Sequence, residues 1–256
     1  RYFSKYFLKM KKKFIYDEKK NLKRENFKMK KRNFLVLSVL CVIALAICFS
    51  CNPFVTEETG SASSNLNVLD ETNRLTISCS IDVNGGTWDG GGQTITATGM
   101  GDGSQSESQK PIFRITNGTV RNVTIGNPAC DGLHLMGGNA SISGVTIPDV
   151  GEDACTVKKP GTYVVTLTGN NSEDKLFQIN DLCTITYRGV SGNGMSKAVR
   201  QNGGKTWKAT IYIDGGTYNN IKEAIGRTDS SSTIFYYRNI SSNLPQSSWW
   251  YSGTRS

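Results

Sequence analysis

Beyond residue 75 the apolar positions come in short runs in which hydrophobic and polar residues alternate, as in Val120 to Ile125 (VRNVTI) and Ser141 to Ile147 (SISGVTI). Alternation of period two predicts half-buried strands, and the Gly, Asn and Asp residues that cut the runs short predict tight turns. The runs also repeat. Asp131-Gly132-Leu133-His134-Leu135, Asp153-Ala154-Cys155-Thr156-Val157, Lys175-Leu176-Phe177-Gln178-Ile179 and Lys197-Ala198-Val199-Arg200-Gln201 start 22 residues apart. A second part of the period agrees, with Val120, Ile142 and Val164 in one column and Val123, Val145 and Leu167 in another. A period of this length marks a solenoid, and it is too short for a strand, a crossover helix and a return. The expected fold is all-β, a single-stranded parallel β-helix of about 22 residues per coil. Leu133, Cys155, Phe177 and Val199 should stack inside, with His134, Thr156, Gln178 and Arg200 as a polar ladder on the outside.

Glycine usage fits such a turn-rich body: all 27 glycines lie beyond residue 50, about 13% of that stretch against roughly 7% in average proteins. The formal charge of +9 would suggest a nucleic-acid partner, but residues 1–50 hold 14 Lys+Arg and 3 Asp+Glu, leaving 16 and 18 for the rest. The body is slightly acidic, so a nucleic-acid role is excluded.

The basic stretch ends in Met29-Lys30-Lys31-Arg32, and the uncharged run Phe34 to Ser50 follows, with polar sequence from Asn52. This is the pattern of a secretory signal, at the short limit for a membrane span. The expected organisation is residues 1–28 as upstream sequence outside the fold, 29–51 as signal peptide, 52–73 as linker and 74–256 as the β-helix domain. Ser50-Cys51 has the form of a bacterial lipoprotein signal, so lipid attachment at Cys51 and plain secretion both stand. Export permits disulfides among Cys79, Cys130, Cys155 and Cys183, which allow three full pairings; buried thiols are the alternative, and their spacing does not suit zinc.

The first position of the aligned copies reads Asp131, Asp153, Lys175, Lys197, with Glu152 beside Asp153 and Arg200 three residues after Lys197. On a β-helix these groups share one face. Stacked carboxylates repel unless a cation sits among them, and hard oxygen ligands suit Ca²⁺. The alternative is a solvent-exposed ladder of ion pairs without metal. A Ca²⁺ site beside Lys, Lys and Arg could hold a sugar acid by its carboxylate while a base removes the proton alpha to it, with neighbouring cations lowering a lysine pKa.

Gly101 to Phe113 (GDGSQSESQKPIF), Asn117 to Pro128 (NGTVRNVTIGNP), Asp131 to His134 (DGLH), Asp149 to Ala154 (DVGEDA) and Asp174 to Gln178 (DKLFQ) together resemble the compact pectate lyases of polysaccharide lyase family 3. The resemblance implies a right-handed parallel β-helix and Ca²⁺-dependent β-elimination of de-esterified polygalacturonate by a secreted, monomeric enzyme. It implies Asp131, Glu152 and Asp153 as calcium ligands, Lys175 as base with Arg200 as the rival, and Lys158, Lys197 and Arg200 as substrate contacts. The chain departs from the family at Gln201-Asn202-Gly203-Gly204, which lacks the cysteines common there, and at Val145-Thr146-Ile147-Pro148, which lacks aromatics. A non-catalytic β-helix that binds acidic polysaccharide is the second reading, and a β-helical glycoside hydrolase the third, which the neighbouring lysines disfavour. His134, the single histidine, is expected to be structural or a substrate contact beside Asp131. Trp249-Trp250-Tyr251 reads as a cover for the open end of the solenoid.

Overall fold

The computed structural model describes residues 73–251, 254 and 255. The upstream segment 1–28, the signal segment 29–51 with Cys51, and residues 52–72 of the linker lie outside the described residues. Fourteen strands follow one another: β1 (Arg74–Ile77), β2 (Ile81–Asn84), β3 (Thr87–Ala97), β4 (Phe113–Thr116), β5 (Thr119–Ile125), β6 (Leu133–Leu135), β7 (Gly138–Ile147), β8 (Cys155–Val157), β9 (Gly161–Ile179), β10 (Cys183–Gln201), β11 (Ala209–Arg227), β12 (Ile234–Ser242), β13 (Trp250–Tyr251) and β14 (Thr254–Arg255). Their ladders are parallel, and they build a β-solenoid of about seven turns with about 23 residues per coil. The expected β-helix is therefore present.

Each coil visits three stacked sheets. Sheet one joins the first segments of β3, β5, β7, β9, β10, β11 and β12, with Val120, Ile142, Val165, Tyr187, Ile213 and Tyr237 in register. Sheet two joins β1 to the later segments of β3, β5 and β7 and the middles of β9 to β11, and carries the ladder Val123, Val145, Leu167. Sheet three stacks β2, β4, β6, β8 and the ends of β9, β10 and β11. Its inward ladder Phe113, Leu133, Cys155, Phe177, Val199 follows the 22-residue column from Leu133 on, and each of these side chains is at most 2% exposed. Across the core, Phe177 stacks on Tyr187 with ring centroids 4.2 Å apart. Burying such side chains on every rung contributes about 1.5–3 kcal/mol each before chain entropy is counted.

The 22-residue period fails at one expected position. Ile142 pairs with Val165, not Val164, because the corner after β8 holds one more residue than the corner before it: Leu135 pairs with Val157, but Gly138 pairs with Gly161. A register shift between Ile142 and Val145 removes the extra residue, and Val145 meets Leu167 as the sequence predicts. A second irregularity is the loop of residues 202–208, which makes Cys183 pair with Ala209, 26 residues on. Cys130, Cys155 and Cys183 are buried, unbridged thiols, and burial pushes the Cys183 thiol up to about 12.

The bend from sheet two to sheet three sets the aim of the basic residues. Asn171, Gly194 and Asn220 sit there on successive rungs with φ of 59°, 75° and 51°, a left-handed conformation that Gly and Asn adopt at least cost. Asn220 Nδ2 donates to Asn193 Oδ1 across rungs at 2.7 Å. Lys175 and Lys197 follow this bend and lie in register.

Candidate active site and metal centre

Backbone bonds between rungs gather the acidic residues. Glu152 N–H donates to Cys130 O, Leu133 N–H to Ala154 O, and Ala154 N–H to Leu176 O, so the residues preceding β6, the residues preceding β8 and Lys175 in β9 lie on consecutive rungs. The packing is close enough to require glycine: a Cβ on Gly132, which has φ of 46°, would stand 2.3 Å from Ala154 O. One on Gly151 would stand 2.2 Å from Cys130 O.

Asp131, Glu152 and Asp153 come together so that one carboxylate oxygen from each lies within 4.8 Å of the others. All three are buried, Asp153 to 1% exposure, which corrects the expectation of a solvent-facing column. Thr156 and His134, expected on an outer ladder, are buried against them: Thr156 Oγ1 donates to Asp153 Oδ2 at 2.9 Å, and His134 Nε2 lies 2.6 Å from Asp131 Oδ2. Asp131 Oδ1 and Glu152 Oε2 are buried with no hydrogen-bond partner. Burial raises the Glu152 pKa to about 8, with Asp131, Asp153 and Glu107 adding repulsion. Burial likewise raises Asp153 to about 7; Lys175 opposes the shift, and Asp131 reinforces it. Three carboxyls held together with orphaned oxygens are unstable as anions by themselves. The donor set fits a hard cation, which satisfies those oxygens and offsets the repulsion.

Lys175 Nζ lies 3.2 Å from Asp153 Oδ1 and 3.4 Å from Asp174 Oδ2. Burial would lower its pKa, but these two carboxylates outweigh burial and raise it, opposite to the expected direction. Lys197 Nζ donates to Asp174 Oδ1 at 2.6 Å, to Ser196 Oγ at 3.0 Å and to Glu223 Oε1 at 3.2 Å. Asp174 thus bridges the two lysines, and they hold its pKa low despite its partial burial. Lys158 Nζ approaches Asp131 Oδ2 at 3.8 Å. Arg200 is held by Asp229, whose Oδ2 accepts from its Nη2 at 3.0 Å and from Gly204 N–H at 2.9 Å; the Arg200 Nη1 is buried without a partner.

Sequence reasoning missed four groups. Asp174 stood inside the DKLFQ segment next to Lys175, and its neighbour position was the signal for it. Glu107 stood inside the GDGSQSESQKPIF segment. Glu223 and Asp229 could not be placed by a 22-residue period, because the loop of residues 202–208 shifts Lys197 to pair with Ala224 and Arg200 with Arg227.

Comparison with known proteins agrees with this geometry. A family model described as pectate lyase matches residues 66–256. "Probable pectate lyase E" of Aspergillus clavatus is 29% identical over 151 residues, covering 55% of this chain and 58% of that protein. "Pectate lyase H" of Emericella nidulans is 29% identical over 154 residues, covering 57% and 58%. The chain therefore spans a little over half the length of these relatives. Among solved structures, the catalytic domain of pectate lyase PelI from Erwinia chrysanthemi superposes with a TM-score of 0.55 at 21% identity, covering 68% of this chain and 82% of that one. Pectate lyase Pel3 from Pectobacterium carotovorum gives 0.56 at 20%, covering 78% and 65%. At this identity the likeness carries the fold.

Proposed function

Since this chain belongs to the pectate lyase family, we propose that it cleaves de-esterified polygalacturonate by β-elimination with Ca²⁺ as cofactor, leaving unsaturated oligogalacturonides. The observation that carries the proposal is the buried trio Asp131, Glu152 and Asp153, with two orphaned carboxylate oxygens, directly against Lys175. A relative of the same fold was solved with tetragalacturonic acid, which supports an acidic sugar as ligand here.

Asp131, Glu152 and Asp153 would hold the cation. When bound, Ca²⁺ supplies positive charge that neutralises a uronate carboxylate and so acidifies the proton alpha to it. Lys175 Nζ is the group that takes this proton; the freed electron pair forms the C=C bond as the glycosidic oxygen beta to the carboxylate leaves and takes up a proton from water. To act, Lys175 must first be neutral, and its partners Asp153 and Asp174 favour the charged form. Commitment of Asp153 to a cation removes one of those partners, and the burial of Lys175 then pulls its pKa toward the working range. Asp174 and Glu223 fix Lys197 beside the base, where it can meet a substrate carboxylate. Lys158 extends the basic rim on the Asp131 side. Arg200, with its planar fork of N–H donors, suits two-point clamping of a carboxylate better than proton removal. Export of the protein, free or lipid-anchored, belongs to the same proposal.

The alternative, a β-helix that binds acidic polysaccharide without cutting it, is favoured by one observation, the raised pKa of Lys175. Mixing the protein with polygalacturonate and following the ultraviolet absorbance of unsaturated uronide, with and without chelator, separates the two. Product formation that chelator abolishes supports the lyase; binding with no product under either condition supports the alternative.

A further inference from the structure

The outward side of sheet one carries a second set of groups suited to sugar. Tyr212 and Tyr236 occupy adjacent rungs of β11 and β12, stacked with centroids 4.8 Å apart and planes 11° apart. Both are unusually exposed for large side chains, at 38% and 40%. Two residues further along the same strands, and so on the same side, runs the column Arg188, Asp214, Arg238. Asp214 accepts two bonds from Arg238, at 2.7 and 2.8 Å, while the Arg188 Nε approaches it only to 3.9 Å. Both guanidiniums are mostly exposed, and the column has one more positive than negative charge. The rung before Tyr212 carries Thr186, whose short side chain leaves the Tyr212 ring face that Tyr236 does not cover above an open cleft of about 580 Å³. Thr186, Arg188, Tyr212, Asp214, Tyr236 and Arg238 line this cleft. The acidic trio and its lysines belong to the approach to sheet three, so the two sites are on different sheets.

We propose that this cleft is a second carbohydrate-binding surface, on which Tyr212 stacks a pyranose ring and Arg188 and Arg238 hold carboxylates of a uronate oligosaccharide. An aromatic ring face matches the apolar face of a sugar, and spare guanidinium donors match a carboxylate in two-point geometry. A neutral sugar would leave the excess charge unused, and a simple anion would leave the ring unused. Arg188 and Arg238 stand two rungs apart, about 10 Å by strand spacing, so the surface reads more than one sugar unit. The surface would keep a polymer attached to the solenoid while the separate acidic site works along it.

Affinity electrophoresis of the full chain through gels containing polygalacturonate, run in chelator so that the acidic trio holds no calcium, tests this. The expected result is retardation of the wild type and of Lys175→Ala alike, retained by Tyr212→Phe and weakened roughly tenfold in apparent affinity by Tyr212→Ala with Arg188→Ala. Should that double variant melt at a lower temperature, Arg188→Glu alone, at a mostly exposed position, should still weaken retardation. Equal retardation of the wild type, the Tyr212→Ala with Arg188→Ala variant and Arg188→Glu overturns the site, as does absence of retardation in the wild type. Equal retardation by a neutral galactan overturns the uronate assignment. Unsaturated product is measured separately, so loss of lyase activity with retardation intact counts only against the lyase, and the converse counts only against this surface.

Discussion

Lys175, the base of the proposed reaction, is held by two carboxylates in a buried position, and they favour its charged form. Replacing it tests the role directly: Lys175→Ala should lower kcat by about 10²–10⁴-fold, the contribution of a positioned general base, with polygalacturonate binding nearly unchanged. Steady-state turnover with a separate binding measurement checks this, and a variant that keeps most of its turnover while Arg200→Lys loses it would reverse the assignment of the base. Glu152 shows the complementary case of an acid penalised by its surroundings. Glu152→Gln should weaken calcium binding roughly tenfold or more, since a ligand oxygen is lost, and should raise the melting temperature of the calcium-free protein at pH 8, since a buried charge is removed. Calorimetric calcium titration and thermal melts read the two effects. A variant with unchanged calcium affinity would place the cation elsewhere. The residues themselves were legible in the sequence as a column of types at a fixed spacing. Their burial and the direction of the Lys175 shift were not, because the burial depends on Thr156 and His134 packing against the acids, and the shift on Asp153 and Asp174 flanking the lysine.

At the level of strands, the alternating pattern located the repeats, and the inward ladder of sheet three follows the 22-residue period from Leu133 to Val199 without a slip. The pattern could not see a residue added in a corner and removed again at a bulge, since both lie among polar and turn residues. That is why Val164 was placed inside when Val165 is the core residue. The two positions give a clean test. Val165→Thr should cost about 1–3 kcal/mol by burying a hydroxyl without a partner, whereas Val164→Thr, on the partly exposed side, should change stability by less than about 0.5 kcal/mol. Denaturant unfolding of both variants decides it, and equal costs would contradict the register. Gly132 is a second strand-level constraint. Gly132→Ala puts a Cβ against Ala154 O on the next rung and forces an alanine to a positive φ, so it should destabilise by about 1–3 kcal/mol and loosen the acidic trio. Reduced calcium affinity together with a lower melting temperature is the expected result.

For the molecule as a whole, the acidic trio ties stability to pH and to the cation. Glu152 and Asp153 have folded-state pKa values raised to about 8 and about 7, so the native state holds their protons more tightly than the unfolded chain does. Stability of the calcium-free protein therefore falls as pH rises from about 4.5 through 8. Asp174 has a lowered value through Lys197 and Lys175, Asp229 through Gly204 N–H and Arg200, and Glu223 through the Ser196 hydroxyl and Lys197, and their contribution is lost as pH falls below about 4. The two trends place the calcium-free optimum in the mildly acidic range. On the proposed function calcium would compete with the protons of Glu152 and Asp153, so its binding would tighten over the interval in which the free protein weakens, and mass action would move the optimum of the loaded protein upward. The melting temperature should accordingly drop between pH 5 and pH 8 in chelator, and the calcium-induced rise in melting temperature should be larger at pH 8 than at pH 5. Melts at both pH values with saturating calcium and with chelator give the four numbers required. A calcium effect of equal size at the two values would mean that the cation does not displace these protons and that the trio is not its site.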